Sequence, residues 1–140
     1  MVTAATTSFR IVKEIDGGTP SSIIAHNDTS AMVAVNGRLL EAQFSCDSGF
    51  VIFMSNDCPF EERLYVYLLD ASCVVIDVLQ FGIPYQPGVF RDVAITSSGS
   101  ITFSFFDTEE RFVITVKLRR SICDWKGRIK LHVQALDESQ

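Results

Sequence analysis

Histidine is scarce in this chain: among 140 residues only His26 and His132 occur. Nucleophilic catalysis by a Ser or Cys beside a histidine base therefore has two positions to work from, and neither lies in a motif of that chemistry. His132 falls on the outward parity of an alternating segment, while His26 precedes Asn27-Asp28 in what reads as a polar turn. Close ligand pairs are missing too. No C-x-x-C, H-x-x-x-H or EF-hand spacing occurs, so no metal site and no cofactor is implied. No Gly-rich loop stands between a strand and a helix, which removes the usual phosphate cradle. The carboxylate pairs Glu61-Glu62 and Glu109-Glu110 are adjacent in sequence. Neighbours on a strand face opposite ways, and such pairs in turns are solvated, so neither makes a hydrolase dyad.

Long apolar runs are also lacking. Phe50 to Met54 and Leu64 to Leu69 fall far short of the roughly 18 residues that suggest a membrane span. Residues 1–8 have neither a basic start nor an apolar stretch, so they do not read as a secretory signal. The expectation is a soluble, cytoplasmic protein in which Cys46, Cys58, Cys73 and Cys123 are reduced thiols.

What the chain has in quantity is period-two alternation. Ile101, Phe103 and Phe105 alternate with Thr102 and Ser104; Phe112, Ile114, Val116 and Leu118 alternate with Val113, Thr115 and Lys117. Such spacing puts one set of side chains on one face of a strand. Turn residues interrupt it at Asn36-Gly37, Asp47 to Gly49, Asp70 to Ser72, Ser97 to Gly99, Asp107 to Glu110 and Trp125 to Gly127. Asn36-Gly37 carries the strongest hairpin signal, since both residues tolerate positive φ. Short links join antiparallel neighbours, so an all-β fold is predicted: a meander of about ten short strands forming a β-sandwich or an up-and-down barrel. Residues 1–140 are expected to make one domain with one core, with residues 1–8 a disordered or loosely attached N-terminus.

Two segments break the pattern. Asn56 to Glu62 invites a single helical turn capped by Asp57, and Phe81 to Gly88, with two prolines, reads as a structured loop or edge. Strands at 50–54, 64–69 and 73–79 are apolar on both faces. Exposing a Val, Leu or Phe forgoes about 1.5–3 kcal/mol of burial, so both faces need cover. The cover is either the domain's own sheets or a second subunit, and a homodimer through the 64–79 hairpin is expected.

Charge is uneven. Six cations against Asp124 give residues 117–130 a net +5, leaving −10 elsewhere in a chain of −5. The overall charge disfavours nucleic acid and anionic membrane as partners. Lys117, Arg119, Arg128 and Lys130 would point outward together across a closed hairpin with Trp125 at its tip, a patch suited to an acidic protein partner. Tyr85, on the Pro-rich loop, offers a second contact surface. These features favour a non-enzymatic protein-interaction module of the inhibitor or immunity type over an enzyme with an unrecognised site at His26 or His132. In its meander, size and aromatic content the chain also resembles calycin-like barrels, although their Gly-x-Trp start is absent. That resemblance implies an apolar ligand in a pocket lined by some of Phe44, Phe53, Phe103, Phe105 and Phe112.

Overall fold

The computed structural model describes residues 1–58, 61–82, 87–106, 110–117 and 129–134. Among the described residues twelve strands follow one another: β1 (Val2–Ala5), β2 (Phe9–Ile15), β3 (Ser21–His26), β4 (Met32–Asn36), β5 (Leu39–Cys46), β6 (Gly49–Ser55), β7 (Leu64–Asp70), β8 (Val75–Phe81), β9 (Gly88–Ile95), β10 (Ile101–Phe106), β11 (Arg111–Val116) and β12 (Ile129–Gln134). They form three antiparallel sheets, ordered β1-β5-β6-β7-β8, β12-β11-β10-β9 and β2-β3-β4. None closes into a barrel, so of the two expected architectures the open sandwich is the one adopted.

The sandwich has three layers, because the central strands are apolar on both faces. Phe44, Val51, Phe53, Val66 and Leu68 of the five-stranded sheet meet Ile101, Phe103, Phe105, Phe112, Ile114 and Val116 of the four-stranded sheet. Ile52, Met54, Tyr65, Tyr67 and Leu69, on the opposite parity, meet Phe9, Ile24, Val33 and Val35 of the three-stranded sheet. Two cores replace the single one expected. The period-two side-chain pattern divides each central strand between them. The domain's own sheets thus cover both faces of β6 and β7. At the sheet edge β8 is only half covered, and Val74, Val75 and Val78 are exposed.

The alternating segments behave as their spacing requires: Phe112, Ile114 and Val116 point into the core, and β10 pairs with β11 in the register Ile101 to Ile114. The Asn36-Gly37 pair does not make a hairpin. It passes the chain from the three-stranded to the five-stranded sheet, since β4 pairs with β3 and β5 with β1 and β6. Gly37 is needed at that crossing: its φ is +106°, and a Cβ would lie 2.8 Å from Met54 Cβ. The N-terminus is not loose either. β1 pairs with Phe44 to Cys46, Val2 is buried, and its N–H donates to Gly99 O at 2.9 Å. No α-helix occurs among the described residues, and none is long and apolar enough to cross a membrane.

Candidate functional site

Two clefts flank the beginning of β5. The first is an apolar groove of about 480 Å³ lined by Ala5 and Thr6 at the end of β1, Leu40 to Phe44 of β5, and Val93 to Ile95 of β9. It exists because β1 is short. Phe44 to Cys46 pair with β1, and Thr6 N–H adds one bond to Gln43 O, after which the chain leaves for the next sheet. The Gln43 side chain guides that departure, accepting from Phe9 N–H at 2.8 Å and donating back to Phe9 O at 3.1 Å. Beyond it, the outer edge of β5 from Leu39 to Ala42 has no strand partner among the described residues, and β9 is itself an edge strand.

Glu41 lies on that edge at a β-bulge, where the β5–β6 register slips between Leu40 and Ala42. Burial first, and then the nearby Glu62 carboxylate, push the half-buried Glu41 carboxyl above its usual 4.5. A hydrogen bond with Ser55 partly counters the rise, and Asp57 adds to it. Between the unfolded and the folded pKa, the folded state therefore keeps a proton that the unfolded chain releases. Stability linked to Glu41 is full below the unfolded pKa and is lost as pH rises through the folded one. Glu41→Gln should accordingly be more favourable, relative to wild type, at pH 7 than at pH 4. Urea midpoints at the two pH values measure this, and a gap that stays constant or reverses would exclude the raised pKa.

The second cleft is polar, about 710 Å³, and lies across the ends of the central strands. Its walls are residues 18–20, Asn36 and Arg38 at the sheet crossing, Asn56 to Cys58, Glu61 and Arg63 from the β6–β7 link, and Tyr65 and Gln80. The link is organised by Glu62, whose carboxylate is buried. Its Oε1 accepts from Asn56 N–H (2.7 Å) and Arg63 N–H (3.0 Å), and its Oε2 accepts from Cys58 N–H (2.8 Å). Asp57 was expected to cap a helical turn here, but it has φ +58°, and Glu62 takes the free amides instead. The crossing is pinned by Asn36 N–H donating to the Tyr67 hydroxyl at 2.8 Å. Burial raises the Tyr67 pKa above its ordinary 10.

Around this frame stand charges that do not meet. Arg38 is half-buried, Arg63, Asp57 and Glu61 are exposed, and no ion pair among the described residues involves any of the four. Asn56 Oδ1, in the same wall, is the one buried side-chain nitrogen or oxygen among the described residues without a hydrogen-bond partner. A buried acceptor left without a donor costs about 1–3 kcal/mol, so its place in a cleft calls for an explanation.

Of the residues singled out from sequence, Lys117 and Lys130 are exposed, and Lys130 stands opposite Thr115. Thr115 shares the parity of Lys117, so both lysines lie on the outward face of the four-stranded sheet. Arg119, Trp125, Arg128, Tyr85 and Cys123 fall outside the described residues. Phe53, Phe103, Phe105 and Phe112 pack ring against ring in the core, with Phe53 to Phe103 at 5.6 Å and Phe103 to Phe112 at 5.7 Å. Phe44 belongs to the same core and also lines the apolar groove.

His26 is buried, with its ring against Phe9 at 5.0 Å and Phe50 at 5.3 Å. Its Nδ1 accepts from Asp28 and Thr29 N–H at 3.2 and 3.3 Å, which makes it the peg of the β3–β4 turn. Cys46, Cys58 and Cys73 are free thiols. No group of three or more His, Cys, Asp or Glu among the described residues is placed to hold a metal ion. No protein-family model, curated protein or solved structure matches the chain.

Sequence reasoning did not find Arg38, Glu41 or Arg63, and it reads Asp57 only as a helix cap. The signal within reach was the Asn56 to Glu62 break, where an otherwise alternating chain spends three carboxylates in one link.

Proposed function

We propose that this chain is a protein-interaction module that takes up an extended, basic segment of a partner as an added strand between β5 and β9. The observation that carries the proposal is the groove itself, apolar and bordered by the open edge of β5. Exposed edges offer unpaired N–H and C=O groups in register, so an extended peptide gains main-chain hydrogen bonds there and places alternate side chains in the groove. Charge complementarity selects the occupant. Glu41 projects from the bulge with Glu62 and Asp57 close enough to disfavour its ionisation, and the chain as a whole carries −5. A lysine or arginine on the incoming strand relieves that repulsion. This keeps the interaction role expected from sequence but moves the surface from the basic hairpin to the β5 edge.

The test is selection of extended heptapeptides from a randomised display library. The expected winners alternate apolar residues and carry a basic residue. Ala94 is exposed and lines the groove. Ala94→Trp should fill it and weaken winners about tenfold or more, whereas Glu41→Gln should weaken basic winners more than their uncharged analogues. A library that yields no binder, or winners that bind Ala94→Trp as tightly as wild type, would overturn the proposal.

A further inference from the structure

The polar cleft is separate from that groove, and three observations point to a ligand of its own. Its volume of about 710 Å³ lies within the range of small-molecule sites, roughly 300–1,000 Å³. Its frame is set in advance, because the three bonds to the Glu62 carboxylate and the Asn36 to Tyr67 bond fix both walls. A wall already held in place loses little entropy when a ligand arrives. Finally, the charged residues in the lining balance: Arg38 and Arg63 against Asp57 and Glu61, net zero, with no ion pair between the two signs.

We propose that the cleft binds a small zwitterion of the amino-acid or short-peptide class, its carboxylate held by Arg38 and Arg63 and its ammonium by Asp57 and Glu61. Balanced but unpaired charge is what selects this class. A phosphate-rich ligand would satisfy the arginines but meet Asp57 and Glu61, with the Glu62 carboxylate behind them. A free cation would meet two guanidinium groups. A neutral sugar would leave all four charges as they are. A ligand with both charges answers both pairs at once, and guanidinium is the side chain best shaped to grip a carboxylate through two parallel bonds. Asn36, Asn56, Gln80 and Thr19 supply further donors and acceptors for the peptide groups between the ends.

The probes are glycine, diglycine and triglycine, which step the distance between ammonium and carboxylate while keeping both ionised at pH 7. Titrations followed by backbone amide NMR should show one length preferred, with shifts centred on Arg38, Asn56 to Cys58 and Arg63. Acetylating the amine or amidating the carboxylate of the preferred probe should each weaken binding about tenfold, a comparison that needs no altered protein. Arg38→Gln should reduce the penalty for amidation, and Asp57→Asn should reduce the penalty for acetylation. Both variants should keep wild-type shifts in β10 and β11. The proposal is overturned if no probe shifts these amides at 20 mM, if capped and uncapped probes bind alike, or if glucose or inorganic phosphate binds as well as the best zwitterion.

Discussion

Phe103→Ala is expected to destabilise the fold by about 3–5 kcal/mol, the range for deleting a buried aromatic ring. Phe103 is fully buried on β10 and touches four other rings, those of Phe53, Phe81, Phe90 and Phe112, at centroid distances of 5.6, 5.9, 5.5 and 5.7 Å. These partners come from β6, β8, β9 and β11, so the ring joins both sheets that bound the larger core. Backbone hydrogen bonding on either side of β10 limits how far the site can collapse, which places the cost toward the top of the range. For a domain of this size each kcal/mol shifts the melting point by about 2–8 °C, so a drop of ten degrees or more is expected. Val89→Ala, at an exposed position, should stay within about 0.5 kcal/mol. Calorimetry or urea unfolding measures both, and a loss below 1 kcal/mol for Phe103→Ala would contradict the packing of the two sheets.

The alternation that places Phe103 is visible in the sequence, because a strand with one wet face writes its burial directly into period two. The same holds for Phe112, Ile114 and Val116. Where strands are buried on both faces that signal vanishes. Residues 50–54 and 64–69 announce that they need cover without saying from where. The cover on one side is β2 to β4, remote in sequence from β7, and nothing local to either segment encodes that contact. Asn36-Gly37 fails as a hairpin marker for a related reason. Its letters record that the backbone must reach positive φ, and φ at Gly37 is indeed +106°. They do not record which strand accepts the hydrogen bonds after the turn, and here β5 turns to β1 and β6 instead of β4. At the N-terminus, Val2 stands among alanines and threonines, too little pattern to reveal the four-residue strand that it anchors.

The polar cleft was less legible still, since Arg38, Asp57, Glu61 and Arg63 reach it from a sheet crossing and a strand link that the sequence separates by about twenty residues. No spacing rule covers such a set. Adjacent Glu61 and Glu62 do part company as neighbours are expected to, but only one is solvated. Glu61 is exposed, while Glu62 is 5% exposed and serves as an anchor. A carboxylate that caps three amides within its own link carries no sequence signature beyond its closeness to a helix-like break, and in sequence that break reads as a turn capped by Asp57.

Glu62→Ala is accordingly the substitution with the largest effect expected outside the core. Three backbone N–H groups, those of Asn56, Cys58 and Arg63, lose their acceptor together. Hydrogen bonds to a charged group contribute about 1.5–3 kcal/mol each, and water entering the cleft regains part of that, so a net loss of about 2–4 kcal/mol is expected. Glu62→Gln should lie between wild type and alanine. Its one oxygen can still accept from two amides, but its NH2 group turns a donor toward the third. The loss should also be local. Because the clamp lies in a link while the two cores lie in the sheets, the link should open in Glu62→Ala without unfolding β10 and β11. Native-state hydrogen exchange separates the two levels. The amides of Asn56, Cys58 and Arg63 should exchange faster in Glu62→Ala by a clearly larger factor than those of Phe103 and Ile114, which follow global stability. If all five accelerate by the same factor, the carboxylate supports the whole fold instead of the link; if the first three do not accelerate at all, it is not their acceptor. In the expected case, the Arg38 side of the cleft keeps its place while the Asp57 side loosens, and the two halves of any ligand held across it should weaken unequally.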